Sequence, residues 1–485
     1  MRLHLTSWRP VAALSAVVLI TSCSNGGADT SGTTAPQVTS ADTSESTSAT
    51  VTSDEANSTV SETGGPADEA LPTLLPLAPD SKRVDLEAPT FSDPTTVDNP
   101  LFPISNLHSA VLLGNNEGQP IRIETTLMHE PKEIDLDGTV IETLVSQFVA
   151  YQDGRIHEVA TDWYAQGDDG AVYYLGEDVF NYEDGVVADT DGTWIAGDGA
   201  PIAMIMPADP QPGDVFRPEN IAGELMEEVT IEQIDVTVDG PYGPIDGAII
   251  GEENHTLEGV YENKWFAPGY GEFFSGVGDS LEGLAIGIPT GALDGPGPDE
   301  LTTVSEAAVA TFDAAADDDW PTASQALERA QAAWSALVKN ADVPRMLGVQ
   351  MDRALRDLAG DAMVPAVNDR NVEGARNAAL DVALASIDLQ IPYQTQEQTD
   401  RARFEVWARQ LVADSERIEA VPGFTAGDVA TLEWIWQRFA HTVDQRTAGE
   451  IDSQLADLGA AADEEDAATV AELAPALLDL AQSLH

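Results

Sequence analysis

The 485-residue chain carries 84 acidic against 22 basic side chains and a single cysteine, for a formal charge of −62. That charge excludes recognition of nucleic-acid phosphates, which needs basic patches to displace counterions. One cysteine excludes an internal disulfide framework and zinc sites of the cysteine-rich type. The apolar fraction of 43% is enough for packed cores, and the length suits two or three folded units plus extensions. Lysine is confined to Lys82, Lys132, Lys264 and Lys339. An acidic, lysine-poor surface stays hydrated and self-repelling; recruitment of cations such as Ca²⁺ is the alternative reading of the same excess.

Residues 1–22 read as a targeting segment. Arg2 and Arg9 supply the positive start, and Val11–Ile20 is a ten-residue apolar run. Ten helical residues span roughly 15 Å, half of the ~30 Å hydrocarbon layer, so this is a signal-peptide core and not a transmembrane anchor. Ile20-Thr21-Ser22-Cys23 comes directly after it. An aliphatic residue and then a small residue before cysteine resembles the lipobox of bacterial lipoproteins. The resemblance implies that the chain is cut before Cys23 and that Cys23 is diacylated, which suffices for stable anchoring. The membrane is then a partner, and the expected location is outside the cytoplasm.

Residues 23–99 read as a disordered Ser/Thr/Pro-rich tether. Nineteen of the 42 residues from Ser24 to Gly65 are Ser or Thr and none is aromatic, so this stretch cannot bury enough surface to offset its ordering entropy. From Pro66 to Asn99 it becomes a Pro-rich, acidic spacer, with Leu71–Leu77 a segment that could dock on the next domain.

Residues 100–290 alternate at period two between Gly-rich turns, which predicts an antiparallel, curved or barrel-like meander. The predicted strands are Ile121–Leu127, Val145–Tyr151, Arg155–Ala165, Val172–Tyr182, Val186–Asp189, Glu227–Val238, Ala248–Glu252, Val260–Phe266 and Gly269–Phe274, with Asp153-Gly154 and Asp184-Gly185 as hairpin turns. Trp163-Tyr-Ala-Gln166, Val172-Tyr-Tyr-Leu-Gly-Glu-Asp178, Met206-Pro207 and Gly213-Asp214 resemble an uncharacterised β-rich domain of bacterial secreted proteins and lipoproteins, over about residues 95–280. The resemblance implies a compact all-β unit outside the cytoplasm and brings no catalytic residues.

Three features of this segment invite a site reading. Asp135-x-Asp137-Gly138 and Asp189-x-Asp191-Gly192 look like half of a calcium loop, but lack its further ligands and read as turns. Met204 and Met206 share a strand face, which suits Cu(I) or simply a core. Trp163, Tyr164, Tyr173, Tyr174 and Trp194 form the candidate ligand surface. Trp163 and Tyr164 point to opposite faces of one strand, as do Tyr173 and Tyr174, so one of each pair faces away from the core unless the sheet is covered on both sides. Cross-strand aromatic pairing is the other reading of the set.

A Gly/Pro linker at 291–300 leads to Ala/Leu-rich segments of period 3.6 over 301–485. Helices are predicted at 303–317, 321–339, 345–362, 371–388, 398–420, 426–446, 448–462 and 466–483, the last kinked or divided at Pro475. Met351-Asp352, Leu355 and Asp357-Leu358 recur as Ile451-Asp452, Leu455 and Asp457-Leu458, and Leu380-Asp381 recurs as Leu478-Asp479. The offset of about 100 predicts paired helical hairpins, packed as one or two four-helix bundles or as a short solenoid. His441, the one histidine within these segments, could ligate haem with Met346, Met351 or Met363, but a cofactor-free bundle is the simpler reading.

The fold class expected is thus all-β followed by all-α. No catalytic residue, metal site or cofactor is assigned, because nucleophile elbows, His-Glu-x-x-His and phosphate-binding loops are all missing from the sequence. The function expected is a membrane-anchored, extracytoplasmic, non-enzymatic binding or interaction module for a small molecule or a protein. The alternatives are a carboxylate-based metal binder and, after it, a secreted hydrolase with an Asp/Glu pair. With 84 acids, no pairing of carboxylates can be singled out from the sequence.

Overall fold

The computed structural model describes residues 75–485 apart from 117, 224, 258, 279, 364–370, 418–421, 465 and 485. The predicted signal segment, Cys23 and the predicted tether up to 74 lie outside the described residues. In chain order the strands are β1 (Ser109–Asn116), β2 (Gln119–Leu127), β3 (Lys132–Leu136), β4 (Thr139–Gln152) and β5 (Arg155–Gln166). Next come β6 (Val172–Glu183), β7 (Val186–Asp189), β8 (Trp194–Ile195), β9 (Ala203–Met206) and β10 (Val215–Ile221). The last five are β11 (Leu225–Gly240), β12 (Gly243–His255), β13 (Val260–Ala267), β14 (Gly271–Val277) and β15 (Ser280–Ile288).

All ladders are antiparallel, in the order β10-β11-β12-β13-β14-β15-β1-β2-β4-β5-β6-β7, with β3 on β4 and β8 and β9 on β6. The curved meander expected from the sequence is therefore present, as an open rather than a closed sheet. Asp137-Gly138, Asp153-Gly154 and Asp184-Gly185 all carry positive φ at both residues, the backbone of a two-residue hairpin turn that matches strand twist. The half calcium loops are turns: the Gly138 N–H donates to Asp135 Oδ1 at 2.6 Å, and the Asp191 N–H donates to Asp189 Oδ1 at 3.1 Å.

Two strands absent from the sequence reading, β1 and β15, pair with each other in the middle of the sheet. Both are covered on two sides. Ala110, Leu112 and Leu284 face the sheet interior, whereas Val111, Ala285 and Ile286 join a helical core. A strand buried on both faces loses its polar alternation, and with it the signal that marks a half-buried strand.

The helices are α1 (Asp299–Ala316), α2 (Trp320–Asn340), α3 (Arg345–Met363) and α4 (Val372–Gln390), then α5 (Gln396–Ser415), α6 (Pro422–Phe439), α7 (Gln445–Asp463) and α8 (Ala467–Gln482). All eight match predicted segments. Aspartate or asparagine caps start α2, α4, α7 and α8, and a Thr395/Gln398 capping box starts α5. Pro475 does not divide α8, because Ala474, Leu477 and Ala481 on either side of it are packed into a core that holds the helix together.

The repeat is real in three dimensions. Helices α1–α4 form one four-helix unit and α5–α8 a second. Trp334 Nε1 on α2 donates to Asp352 on α3 at 2.7 Å, and Trp436 Nε1 on α6 donates to Asp452 on α7 at the same distance. The first unit shares its core with β1 and β15, and the second shares its core with Val149, Tyr151, Ile156, Val159 and Tyr182 of β4–β6. Strand and helix segments therefore form one compact unit and not two separate domains.

Between the two helical units and the outer face of the sheet lies a buried ion network. Arg122 and Glu124 of β2 meet Asp388 of α4, Asp400 and Arg403 of α5 and Arg438 of α6. Three cations stand against three carboxylates. Burial opposes ionisation of Glu124, but Arg403, Arg122 and Arg438 overcome it and hold its carboxyl below the usual range.

Residues 75–99 depart from the tether expected over 23–99. The Leu75 N–H donates to Thr256 O, Val84 bonds to the β10 edge at Val215, and Val97 and Asn99 are buried. Hydrogen bonds to an open strand edge and burial of Val97 supply what composition alone did not reveal. Of the 71–77 segment, residues 71–74 lie outside the described residues, and Leu75 is the position bonded to the folded part.

Candidate functional site

The five aromatic residues singled out from the sequence form no surface groove. A bulge between β5 and β6 sets Asp162 opposite Glu177 and Tyr164 opposite Tyr174, so that one strand gains a residue and the parity of the aromatic pairs changes. Tyr164 and Tyr174 are stacked at 4.8 Å inside the curled sheet, with Phe102 edge-on to Tyr164 and Trp194 edge-on to Tyr174. Trp163 and Tyr173 are buried on the opposite face, under Lys132 and Phe91 respectively. The sheet is covered on both sides here, which is the condition that allows all of them to be inside. Met204 and Met206 are core residues of the same cluster. His441 stacks on His129 at 4.2 Å and belongs to the second helical unit, whereas Met351 lies in the core of the first.

The curled sheet encloses a cavity of about 130 Å³. Its wall alternates with the pleat. On β5 the inward positions are Glu158, Ala160, Asp162 and Tyr164, every second residue. Glu177, Glu219, Glu227, Glu253, Glu272 and Glu282 come from six further strands, and Lys264 of β13 is the one cation in the lining among the described residues. Two like-charge pairs stand directly opposite across strands, Asp162 with Glu177 and Glu253 with Glu262. Such pairs oppose strand pairing, so this interior does not serve stability.

The groups divide into a compensated and an uncompensated half. Around β12 and β13, His255 Nδ1 lies 2.9 Å from Glu227, its Nε2 lies 3.2 Å from Glu262, and Lys264 Nζ lies 2.7 Å from Glu253. Burial works against charge on His255 and Lys264, yet the neighbouring carboxylates overcome it and raise both pKa values well above the ordinary. On the other side Tyr174 donates to Asp162 at 2.7 Å. The carboxyl groups of Glu158 and Glu282, 5% and 7% exposed, take part in no hydrogen bond or ion pair among the described residues. Burial, reinforced by Glu177 and Asp162, pushes Glu158 up to about 8. Burial, with Glu272 and Glu262, raises Glu282 well above the carboxylate range.

A carboxyl whose pKa rises on folding contributes stability that is complete below its unfolded value, near 4.5, and is lost as pH rises through the folded value, here about 8. The unliganded protein should therefore melt several degrees lower at pH 9 than at pH 5. Glu158→Gln should raise stability at pH 9 by roughly 4 kcal/mol and leave pH 5 nearly unchanged. Equal melting temperatures of the variant and the natural protein at pH 9 would contradict a buried, unpaired charge at this position.

Sequence reasoning missed these residues because it treated 84 acids as interchangeable. A signal was present on β12, where Glu253 and His255 continue the phase of Ile245 and Ile249. Neither a family model nor a curated protein matches this chain.

Proposed function

We propose that this chain is an extracytoplasmic lipoprotein, anchored through Cys23, that binds a small cationic ligand inside its curled sheet. The observation that carries the reading is the pair of buried carboxyls, Glu158 and Glu282, turned into the cavity without a partner. Burial of an uncompensated carboxylate is costly, and groups so perturbed concentrate at sites that meet a ligand. A cation placed between them would supply the missing charge, and the stacked faces of Tyr164 and Tyr174 would cover an organic body. The volume suits an ion with its waters or a short-chain amine rather than a peptide or a sugar chain. The acidic, lysine-poor surface would draw cations toward the protein before they enter.

Native mass spectrometry of the full chain, extracted from bacterial membranes in detergent, tests both halves of this reading. The expected result is a bound organic mass that the Glu158→Gln/Glu282→Gln variant loses while its circular dichroism is unchanged. Cys23→Ala should move the protein from the membrane to the soluble fraction. A bound mass that the double variant retains would overturn the site, as would a naturally unliganded protein whose melting temperature no amine in a panel raises. Membrane retention of Cys23→Ala would overturn the anchor.

A further inference from the structure

We propose that a divalent-cation site of the zinc class lies beside the same cavity, meeting it at Glu253, with His255 Nε2, Glu253 and Glu262 as its protein ligands. The placement follows from strand geometry. Glu253 and His255 are two apart on β12 and so share a face, and Glu262 of β13 lies opposite Glu253 in the ladder. The three ligand atoms lie within 4.8 Å of one another. Nε2 of His255 is 3.2 Å from Glu262 Oε2 and 3.6 Å from Glu253 Oε2, so two carboxylates converge on a nitrogen whose single proton can serve one of them.

Two of these ligands are held from behind. Glu227 Oε1 sits 2.9 Å from the far nitrogen of His255, an arrangement that fixes the ring and directs Nε2 at a metal. The Ser275 hydroxyl donates to the far oxygen of Glu262, whereas Lys264 Nζ lies 2.7 Å from the same Glu253 Oε2 that faces His255, so an entering metal must displace this ammonium or bind Glu253 through its other oxygen. A metal on Nε2 displaces the proton that the carboxylates otherwise hold on His255; with that imidazole neutral, the ionised carboxylates of Glu227, Glu253 and Glu262 and the ammonium of Lys264 sum to −2, which one divalent cation cancels. A separate observation points the same way. Glu282 faces Ser275 across the β14–β15 ladder, is 7% exposed, and presents its unpartnered carboxyl to the same cavity. It stands outside the group of three ligand atoms, so its side chain would have to turn toward the metal to serve as a fourth oxygen. An imidazole among carboxylates favours zinc over calcium, which takes an all-oxygen shell.

The proposal rests on the organic-cation reading's cavity and shares Glu282 with it, but its three protein ligands, Glu253, His255 and Glu262, are not used there, so the two can fail separately. The full chain is stripped with chelator and dialysed against Zn²⁺ or Ca²⁺ in 0.15 M salt, where weak binding by exposed acids is screened. One retained Zn²⁺ per chain is expected, with at least 100-fold weaker binding in His255→Gln and in Glu262→Gln, no change in Glu158→Gln, and no retained Ca²⁺. If either weakened variant does not melt cooperatively, the X-ray absorption spectrum of the zinc-loaded natural protein decides, and one imidazole nitrogen with oxygens is the expected shell. Absence of retained zinc, zinc uptake unchanged in a folded His255→Gln, or an oxygen-only shell would each overturn the site. Loss of the organic mass in Glu158→Gln/Glu282→Gln with zinc retained in Glu158→Gln would show two sites in one cavity.

Discussion

Arg438→Met is expected to remove about 3–5 kcal/mol of folding stability, the range for deleting one partner of a buried ion pair. Arg438 is 1% exposed and holds groups from three elements at once. Its Nε donates to Gln147 on β4 at 2.6 Å, its Nη1 bonds Glu124 on β2 and lies 3.3 Å from Asp400 on α5, and it extends from α6 to reach them. Methionine fills much of the volume, so the loss reports charge more than cavity. It leaves Glu124 and Asp400 sharing two guanidinium groups with Asp388, in a place that water does not reach. A second substitution, Glu124→Gln, should restore part of the loss by removing the stranded charge. Urea denaturation monitored by tryptophan fluorescence measures both. A loss below about 1 kcal/mol for the single variant would mean that the junction is solvated or that it relaxes freely.

Gly185→Ala should cost roughly 2–5 kcal/mol, the sum of a backbone and a contact contribution. Gly185 closes the β6–β7 turn at φ +76° and packs against the N-terminal turn of α6. A methyl group there would fall inside the contact radius of the Gly423 carbonyl oxygen and 2.5 Å from the Gly427 nitrogen, both backbone atoms that cannot swing away. About 1–2 kcal/mol belongs to the left-handed backbone and about 1–3 kcal/mol to the forced contact. Gly154→Ala separates the two. Gly154 sits in the same kind of Asp-Gly turn at φ +74°, with nothing within 4 Å of the added carbon, so it should show the backbone part alone. If the two variants lose equal stability in urea, the sheet and α6 are not in the close contact described.

Local rules account for the part of the fold that is legible in the chain itself. Each helix carries its own apolar stripe, and most carry a recognisable cap, so all eight are found from periodicity and breaks. The Asp352/Asp452 register announces two equivalent units, and the tryptophan partners of those aspartates complete the match in the structure. Alternation reveals strands with one polar face, such as Ile121–Leu127. It fails for Ala110–Leu112 of β1 and Leu284–Ile286 of β15, which are apolar on both sides because helices cover one face and the sheet interior the other.

The site was decided by tertiary structure. The lipobox-like run ending at Cys23 is legible in the sequence because its residues are contiguous, and so is the acidic excess. Glu158, Glu253 and Glu282 come from β5, β12 and β15, up to 124 positions apart in numbering, and only the curl of the sheet turns them toward one space, with His255 and Glu262 beside Glu253 on β12 and β13. The aromatic residues were found by sequence and moved by structure. A single bulge in β6 and a second covering layer placed them inside rather than on a surface. Periodicity tells which face a side chain takes on its own strand; what that face meets depends on the strands and helices that arrive from elsewhere in the chain.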